Sequence, residues 1–132
     1  MLKIFNKKYR FFKKKAQDVQ YTIWDLDFKI AKSREVREGV RQDRDRAIEG
    51  INQIDNVLPS ITIKPEEKES LEKDKATLQE NVTRYEAQMK MIDDQINGGV
   101  PSEDNPAGIG IMERIKSLTE LREMIKQYMR RI

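Results

Sequence analysis

The 132-residue sequence contains no cysteine and no histidine. Without cysteine the chain has no disulfide framework, no thiolate zinc site and no cysteine nucleophile. Without histidine it lacks the most common general base and the most common transition-metal ligand. An enzyme made from this chain would depend on carboxylates, lysines, tyrosines or hydroxyl groups alone. We therefore expect a non-enzymatic protein with no cofactor, no metal ion and no small-molecule substrate.

The acidic pairs in the sequence do not change this expectation. Asp25 and Asp27 are two residues apart, and on a helix that spacing points them to different faces, so they cannot converge as paired catalytic carboxylates. Asp93 and Asp94 lack a surrounding ligand set with the spacing of a metal site. We predict no catalytic residue and no metal ligand.

Long hydrophobic runs are also absent. No segment approaches the roughly 20 apolar residues that a membrane span needs, and the cationic N-terminus lacks the apolar segment of a signal peptide. We expect the protein in the cytoplasm, or within a virion or other assembly formed there.

Proline and glycine interrupt the chain in few places. All four prolines and four of the six glycines lie in the segments 59–65 and 98–110. Charged residues make up 37% of the chain and hydrophobic residues also 37%, a balance too polar for a wide core. This composition favours long helices that each bury one narrow apolar stripe.

The sequence also contains a heptad repeat, which is the periodicity that such helices need. It begins at Leu2 and continues for eight heptads, with fourteen of its seventeen a and d positions apolar. No alternating pattern of the kind found in strands competes over this length. The repeat predicts one helix over about 3–57, which Pro59 ends.

Two further apolar stripes predict two shorter helices. The first predicts a helix over 65–97, which the sequence Asn97-Gly98-Gly99 ends. The second predicts a helix over 106–131, with Asn105 as N-cap and Pro106 at the first helical position. Gly108-Ile109-Gly110 lacks the strand and the third glycine of a phosphate loop, so we interpret it as a flexible loop.

The short link between the first two helices predicts an antiparallel hairpin. In this hairpin, residues lie opposite each other when their numbers sum to about 124, and charges that were not used to find this register test it. This register brings opposite charges to the same level. The predicted register pairs are Arg44 with Glu80, Arg37 with Glu86, and Glu49 with Lys75.

The second helix is too short to cover the whole first helix, and residues 1–26 are left over. The third helix could cover this arm or fold back along the hairpin. The third helix carries a net charge of +3 and residues 1–15 carry +7, whereas the second helix carries −4. We therefore expect the third helix to fold back, which gives an all-α protein with a three-helix bundle over 27–132 and a projecting helical arm over 1–26.

An arm of this kind would need a partner. Its apolar stripe represents on the order of 10 kcal/mol of unrealised association energy. The residues predicted to bind the partner are Leu2, Phe5, Tyr9, Phe12, Val19, Ile23 and Trp24. The cations predicted to contact an anion or an acidic partner are Lys7, Lys8, Arg10, Lys13, Lys14 and Lys15.

These features favour a structural or scaffolding component of a larger assembly, which docks on other protein subunits as a homo- or hetero-oligomer. Short, charge-dense helical accessory proteins without cysteine or histidine are common in bacteriophage particles, so such a particle is one assembly that fits. The alternative is a nucleic-acid-associated protein that uses the basic arm on phosphates. Docking on a membrane surface as a basic amphipathic helix is the least favoured interpretation.

Overall fold

The structure, a computed structural model, describes residues 2–60, 62–98 and 107–131, and the side chains of these residues from position 7 onward. Within these ranges the chain forms three helices and no strand: α1 spans Leu2–Val57, α2 spans Pro65–Asn97 and α3 spans Ile111–Arg131. The all-α prediction is confirmed, and so are the predicted extents of the first two helices.

Local sequence explains where α2 begins and ends. Pro65 suits the first helical position because its φ is fixed and its missing N–H would have no partner there. Glu66 and Glu67 in the first turn lie at the positive end of the helix dipole. The helix ends before Gly98, which has a φ of 95° and donates its N–H to the Asp94 carbonyl at 2.7 Å. The stop predicted at this glycine is therefore confirmed.

The chain divides into two compact units. Unit 1 consists of Met1–Ser33 and Asp93–Ile132, and unit 2 consists of Arg34–Ile92. The buried apolar residues of unit 1 are Ile23, Leu26 and Ile30 of α1 and Ile96 of α2. Those of α1 occupy a and d positions, so the predicted apolar stripe is the packed face of the helix in this unit.

Helix α3 lies antiparallel to the N-terminal part of α1 in unit 1. The ring centroids of Phe12 and Tyr128 are 4.8 Å apart, and Arg122 donates a hydrogen bond to the side-chain oxygen of Gln20. The expectation that the third helix folds back along the hairpin is therefore wrong. Repulsion between exposed cations is weak in water, whereas covering the α1 stripe removes a large apolar area from water.

The segment before α3 also differs from the prediction, because it is not helical and lies close to the end of α2. α3 begins at Ile111 and not at residue 106. Gly108 has a φ of 65°, and both Gly108 and Gly110 are buried. A Cβ on Gly110 would clash with the backbone of Asn97, so this segment is tightly packed and the flexible-loop interpretation is wrong. Asn105 and Pro106 lie outside the described residues.

In unit 2 the second half of α1 and most of α2 form the predicted antiparallel hairpin, but in a different register. Lys75 contacts Asp55 at 2.5 Å, so its predicted pairing with Glu49 is wrong. A Cβ on Gly50 would lie only 3.1 Å from Leu78. Facing residue numbers therefore sum to 128 or 130. Since Gly50 has no side chain, Leu78 approaches α1 closely, and this apolar contact sets the register in place of the charge pairs.

The remaining register pairs have separate outcomes. Arg44 contacts Asp45 of its own helix at 3.1 Å, and no ion pair of the described residues joins it to Glu80, so that prediction is wrong. The pairing of Arg37 with Glu86 stays a prediction.

Candidate docking surface on helix α1

The residues predicted to bind a partner lie on two faces of α1. Those on the packed face are half-buried or buried within unit 1: Phe12, Val19 and Ile23. Tyr9 lies at the edge of this face and is 41% exposed. The side chains of Leu2 and Phe5 lie outside the described residues. The chain's own third helix therefore covers the described part of the stripe, and the prediction that only an outside partner could cover it is wrong.

The opposite face of α1 exposes three large aromatic side chains, which we call the aromatic ridge. Tyr21 is 59% exposed, Trp24 57% and Phe28 64%. Their spacings of three and four residues place them on one side of the helix. The Tyr21 and Trp24 rings form an edge contact with centroids 5.7 Å apart, and the Lys32 ammonium lies 5.7 Å from the Phe28 centroid. Contiguous exposed apolar side chains of this kind mark interaction sites.

The heptad explains why the aromatic ridge faces outward. Counted from Leu2 as position a, Tyr21 and Phe28 occupy f positions and Trp24 a b position, and these point away from the packed stripe. Trp24 was among the residues predicted to bind a partner, as one of the aromatic residues of the arm. Reasoning from a and d positions missed Tyr21 and Phe28, although large aromatics at positions that are normally polar were the available signal.

The predicted cations of α1 are exposed along the same helix. They are Lys7, Lys8, Arg10, Lys13, Lys14 and Lys15. Lys14 precedes Tyr21 by seven residues, or two helical turns, and Arg10 precedes Lys14 by four, so both lie on the ridge side of α1. We call Arg10 and Lys14 the basic flank. The positive charge begins N-terminal to the ridge, whereas Asp18, Asp25 and Asp27 are the exposed charged residues next to the ridge on its own segment.

A second cationic feature lies between α1 and α3 within unit 1. It is a shallow groove of about 310 Å³, and its cationic lining residues are Lys13, Arg122 and Lys126. Arg122 contacts Glu123 at 3.2 Å, and Lys126 lies 4.0 Å from the same carboxylate. Glu123 thus partly neutralises the groove on the α3 side.

Unit 2 contains an apolar groove between its two helices, which we call the hairpin groove. Its volume is about 540 Å³, and its apolar lining comes from Gly50, Ile54, Val57, Leu71 and Leu78. Val57 is itself exposed. The single charged residue in the lining is Asp74. The groove lies where the missing side chain of Gly50 lowers the surface of α1.

An exposed charge network lies on α1 in unit 2. Arg41 donates to Glu38 at 2.9 Å and to Asp45 at 2.8 Å. The hydrogen bond from Arg41 holds the pKa of the Glu38 carboxyl below its ordinary value of 4.5. The same contact raises the pKa of the Arg41 guanidinium. Since the network joins residues one helical turn apart, it is a local feature of the helix surface.

Among the residues that the structure describes, the acidic side chains form no group of three or more that could hold a metal ion. None of the helices, as far as the structure describes them, combines the length and the apolar character needed to cross a membrane. Comparison of the chain with protein-family models, curated proteins and solved structures finds no match.

Proposed function

We propose that this protein is a non-enzymatic structural component of a larger protein assembly and that it docks on its partner through helix α1. The observation that supports this most is the exposure of Tyr21, Trp24 and Phe28 on one helix face. Burying a large apolar side chain contributes about 1.5–3 kcal/mol, and Trp and Tyr dominate the energetics of protein interfaces. Helix-in-groove contacts use anchors at the spacing found here.

The docking face differs from the one that the heptad alone predicts. The stripe faces α3, and this packing fixes the orientation of α1, so the aromatic ridge is held on a helix that is already ordered. Little conformational entropy is then lost when a partner binds. A bacteriophage particle is one assembly to which a small helical component of this composition fits, formed in the cytoplasm of the host cell.

The test is the size of the complex that contains the protein in the cells that make it. We expect the tagged full chain to elute well above its own mass of 15.6 kDa. A Trp24→Gln, Phe28→Gln variant should elute near that mass. A Met91→Gln, Met124→Gln variant, which removes two equally exposed apolar side chains elsewhere, should stay in the complex. Elution of the native chain by itself, or an unchanged profile for the Trp24→Gln, Phe28→Gln variant, would contradict the proposal.

A nucleic-acid-associated function is the second candidate, and the row of exposed cations on α1 favours it. Contact with six or more phosphates should weaken roughly 10³-fold or more between 50 and 200 mM salt. A Lys13→Glu, Lys14→Glu, Lys15→Glu variant should lose that binding, while the Trp24→Gln, Phe28→Gln variant should keep most of it. Fluorescence anisotropy with a labelled DNA duplex and with single-stranded DNA measures both effects. Weak, variant-insensitive binding would reject this candidate.

A further inference from the structure

We infer that the cationic groove between α1 and α3 in unit 1 binds the backbone of a single-stranded nucleic acid. We call it the basic groove, and its cationic lining residues are Lys13 of α1 and Arg122, Lys126 and Arg130 of α3. This inference rests on the second candidate function and gives it a site. Three of the four cations belong to α3, so the site differs from the arm of α1 that the sequence predicts. It does not involve the aromatic ridge.

The groove is longer than the pocket of 310 Å³ described above. A second shallow pocket of about 290 Å³ is lined by Arg130 and shares three residues with the first, which are Tyr9, Lys126 and Met129. Along α1 the lining runs from Tyr9 to Gln20, about 16 Å at 1.5 Å per residue. Packed helices have axes about 8–10 Å apart, so an extended strand fits between them. A duplex, whose major groove alone is about 12 Å wide, reaches only the rim.

The cations of α3 form a regular row along this groove. Arg122, Lys126 and Arg130 follow each other at intervals of four residues, so about 6 Å separates neighbours along the helix axis. Lys13 lies on the α1 side, so both walls carry positive charge. Within the described residues, the ion pairs of this row join Arg122 and Lys126 to Glu123. Four cations against this one carboxylate leave a net charge of +3, which complements a strand with one negative charge on each nucleotide.

The rest of the lining favours nucleotides over a lipid surface. Gln17 and Gln20 carry amide groups, which donate and accept hydrogen bonds as base edges require. Tyr9 lines both pockets and is 41% exposed, so its ring is available for stacking on a base. A membrane-docking face would need large exposed apolar side chains between the cations. The apolar lining residues Ala16 and Met129 are instead half-buried.

Two matched variants of the full chain test the inference. The groove variant is Lys126→Gln, Arg130→Gln, which removes two exposed cations of the row. The control is Arg114→Gln, Lys116→Gln, which removes two exposed cations of the same helix outside the groove lining and gives the same net charge. Circular dichroism establishes that both keep the helical content of the native chain. Fluorescence anisotropy with a labelled single-stranded DNA of mixed sequence then gives the affinity of each.

We expect the groove variant to bind at least about 10-fold more weakly than the native chain, since two charge-assisted contacts are lost. The slope of log affinity against log salt should become shallower by about 1.4, because each phosphate contact of a single strand contributes about 0.7. The control should match the native chain in affinity and in slope. A duplex of the same length should bind the native chain more weakly than the single strand.

Two single substitutions separate charge from stacking. Glu123→Gln removes the carboxylate that contacts the row and should strengthen binding by up to about fivefold. Tyr9→Leu should weaken binding by about fivefold or more and leave the salt slope unchanged, because stacking of a base releases no counterion. A Tyr9→Leu variant with native affinity would contradict the assignment of Tyr9 to the site.

An unchanged affinity of the groove variant, an equal loss in the control, or tighter binding of the duplex would overturn the inference. Competition by polyglutamate or by phosphatidylserine vesicles as effective as competition by unlabelled strand would also overturn it, and would assign the groove to an acidic protein or to a membrane. If the Lys13→Glu, Lys14→Glu, Lys15→Glu variant loses DNA binding while the groove variant keeps it, the second candidate function stands and the basic groove is not its site. The size of the cellular complex, which tests the docking function, does not depend on these outcomes.

Discussion

At the residue scale, two glycines have opposite structural roles. A Cβ on Gly110 would clash with the backbone at the end of α2, whereas a Cβ on Gly39 within α1 would meet nothing within 4 Å. The first glycine is required by a close backbone approach. The second only adds conformational freedom to the unfolded chain.

Gly110→Ala should therefore lower the free energy of unfolding by roughly 1–3 kcal/mol, because the segment before α3 must move away from α2. Gly39→Ala should raise it by about 0.5–1 kcal/mol, because alanine favours the helix. Urea denaturation followed by circular dichroism measures both changes on the same scale. Equal effects of the two substitutions would show that residues 107–110 are not tightly packed.

The charge network around Arg41 makes a prediction about pH. The hydrogen bond from Arg41 lowers the pKa of Glu38 in the folded chain below 4.5. A depressed carboxyl pKa contributes stability above the pKa of the unfolded chain, and this contribution is lost as the pH falls through the folded value. We expect Arg41→Gln to raise the Glu38 pKa toward 4.5, as measured by NMR titration of its side-chain carboxyl carbon. An unchanged Glu38 titration in that variant would mean that the pair does not form in solution.

At the element scale, the sequence identifies helices and their apolar faces better than it identifies which faces meet. The heptad predicted α1 and the packed positions Ile23, Leu26 and Ile30, and proline and glycine marked the ends of α2. Periodicity says which side of a helix avoids water, but any other apolar stripe can cover that side. Which helix packs on the apolar stripe of α1 depends on the whole chain. The close backbone approach at Gly110 does so too. Neither leaves a local pattern in the sequence.

The hairpin register shows the same limit, and a charge exchange tests it. Lys75 contacts Asp55 in the structure, whereas the register predicted from the sequence paired it with Glu49. Asp55→Lys should destabilise the chain by about 0.5–1 kcal/mol because both side chains are only partly exposed. Adding Lys75→Asp should restore most of that loss.

The matched control exchanges the pair that the sequence predicted. Glu49→Lys with Lys75→Glu should show no coupling between the two substitutions in a double-mutant cycle. Coupling in this second cycle and its absence in the first would favour the register that sums to 124. Thermal unfolding at low ionic strength gives the best sensitivity, since salt screens exposed ion pairs.

At the scale of the whole molecule, the covering of the N-terminal stripe by α3 decides which surface is free for a partner. Apolar residues of α3 that face inward, such as Ile115 and Ile125, are half-buried, whereas Met112 and Met124 on the same helix are exposed. The net charge favoured a different arrangement, because α3 and residues 1–15 are both positive. Surface charges in water contribute less free energy than the apolar area that a helix face removes from water.

The last prediction compares these two faces of α3 with the same chemical change. Ile115→Glu with Ile125→Glu places carboxylates against the α1 stripe and should lower the free energy of unfolding by roughly 3 kcal/mol or more. Hydrogen exchange should then lose protection in α3 and in the N-terminal part of α1 together. Met112→Glu with Met124→Glu adds the same charges to the exposed face and should leave protection unchanged. If the two double variants exchange alike, α3 does not cover the stripe in solution, and residues such as Phe12 and Val19 return as candidates for contact with a partner.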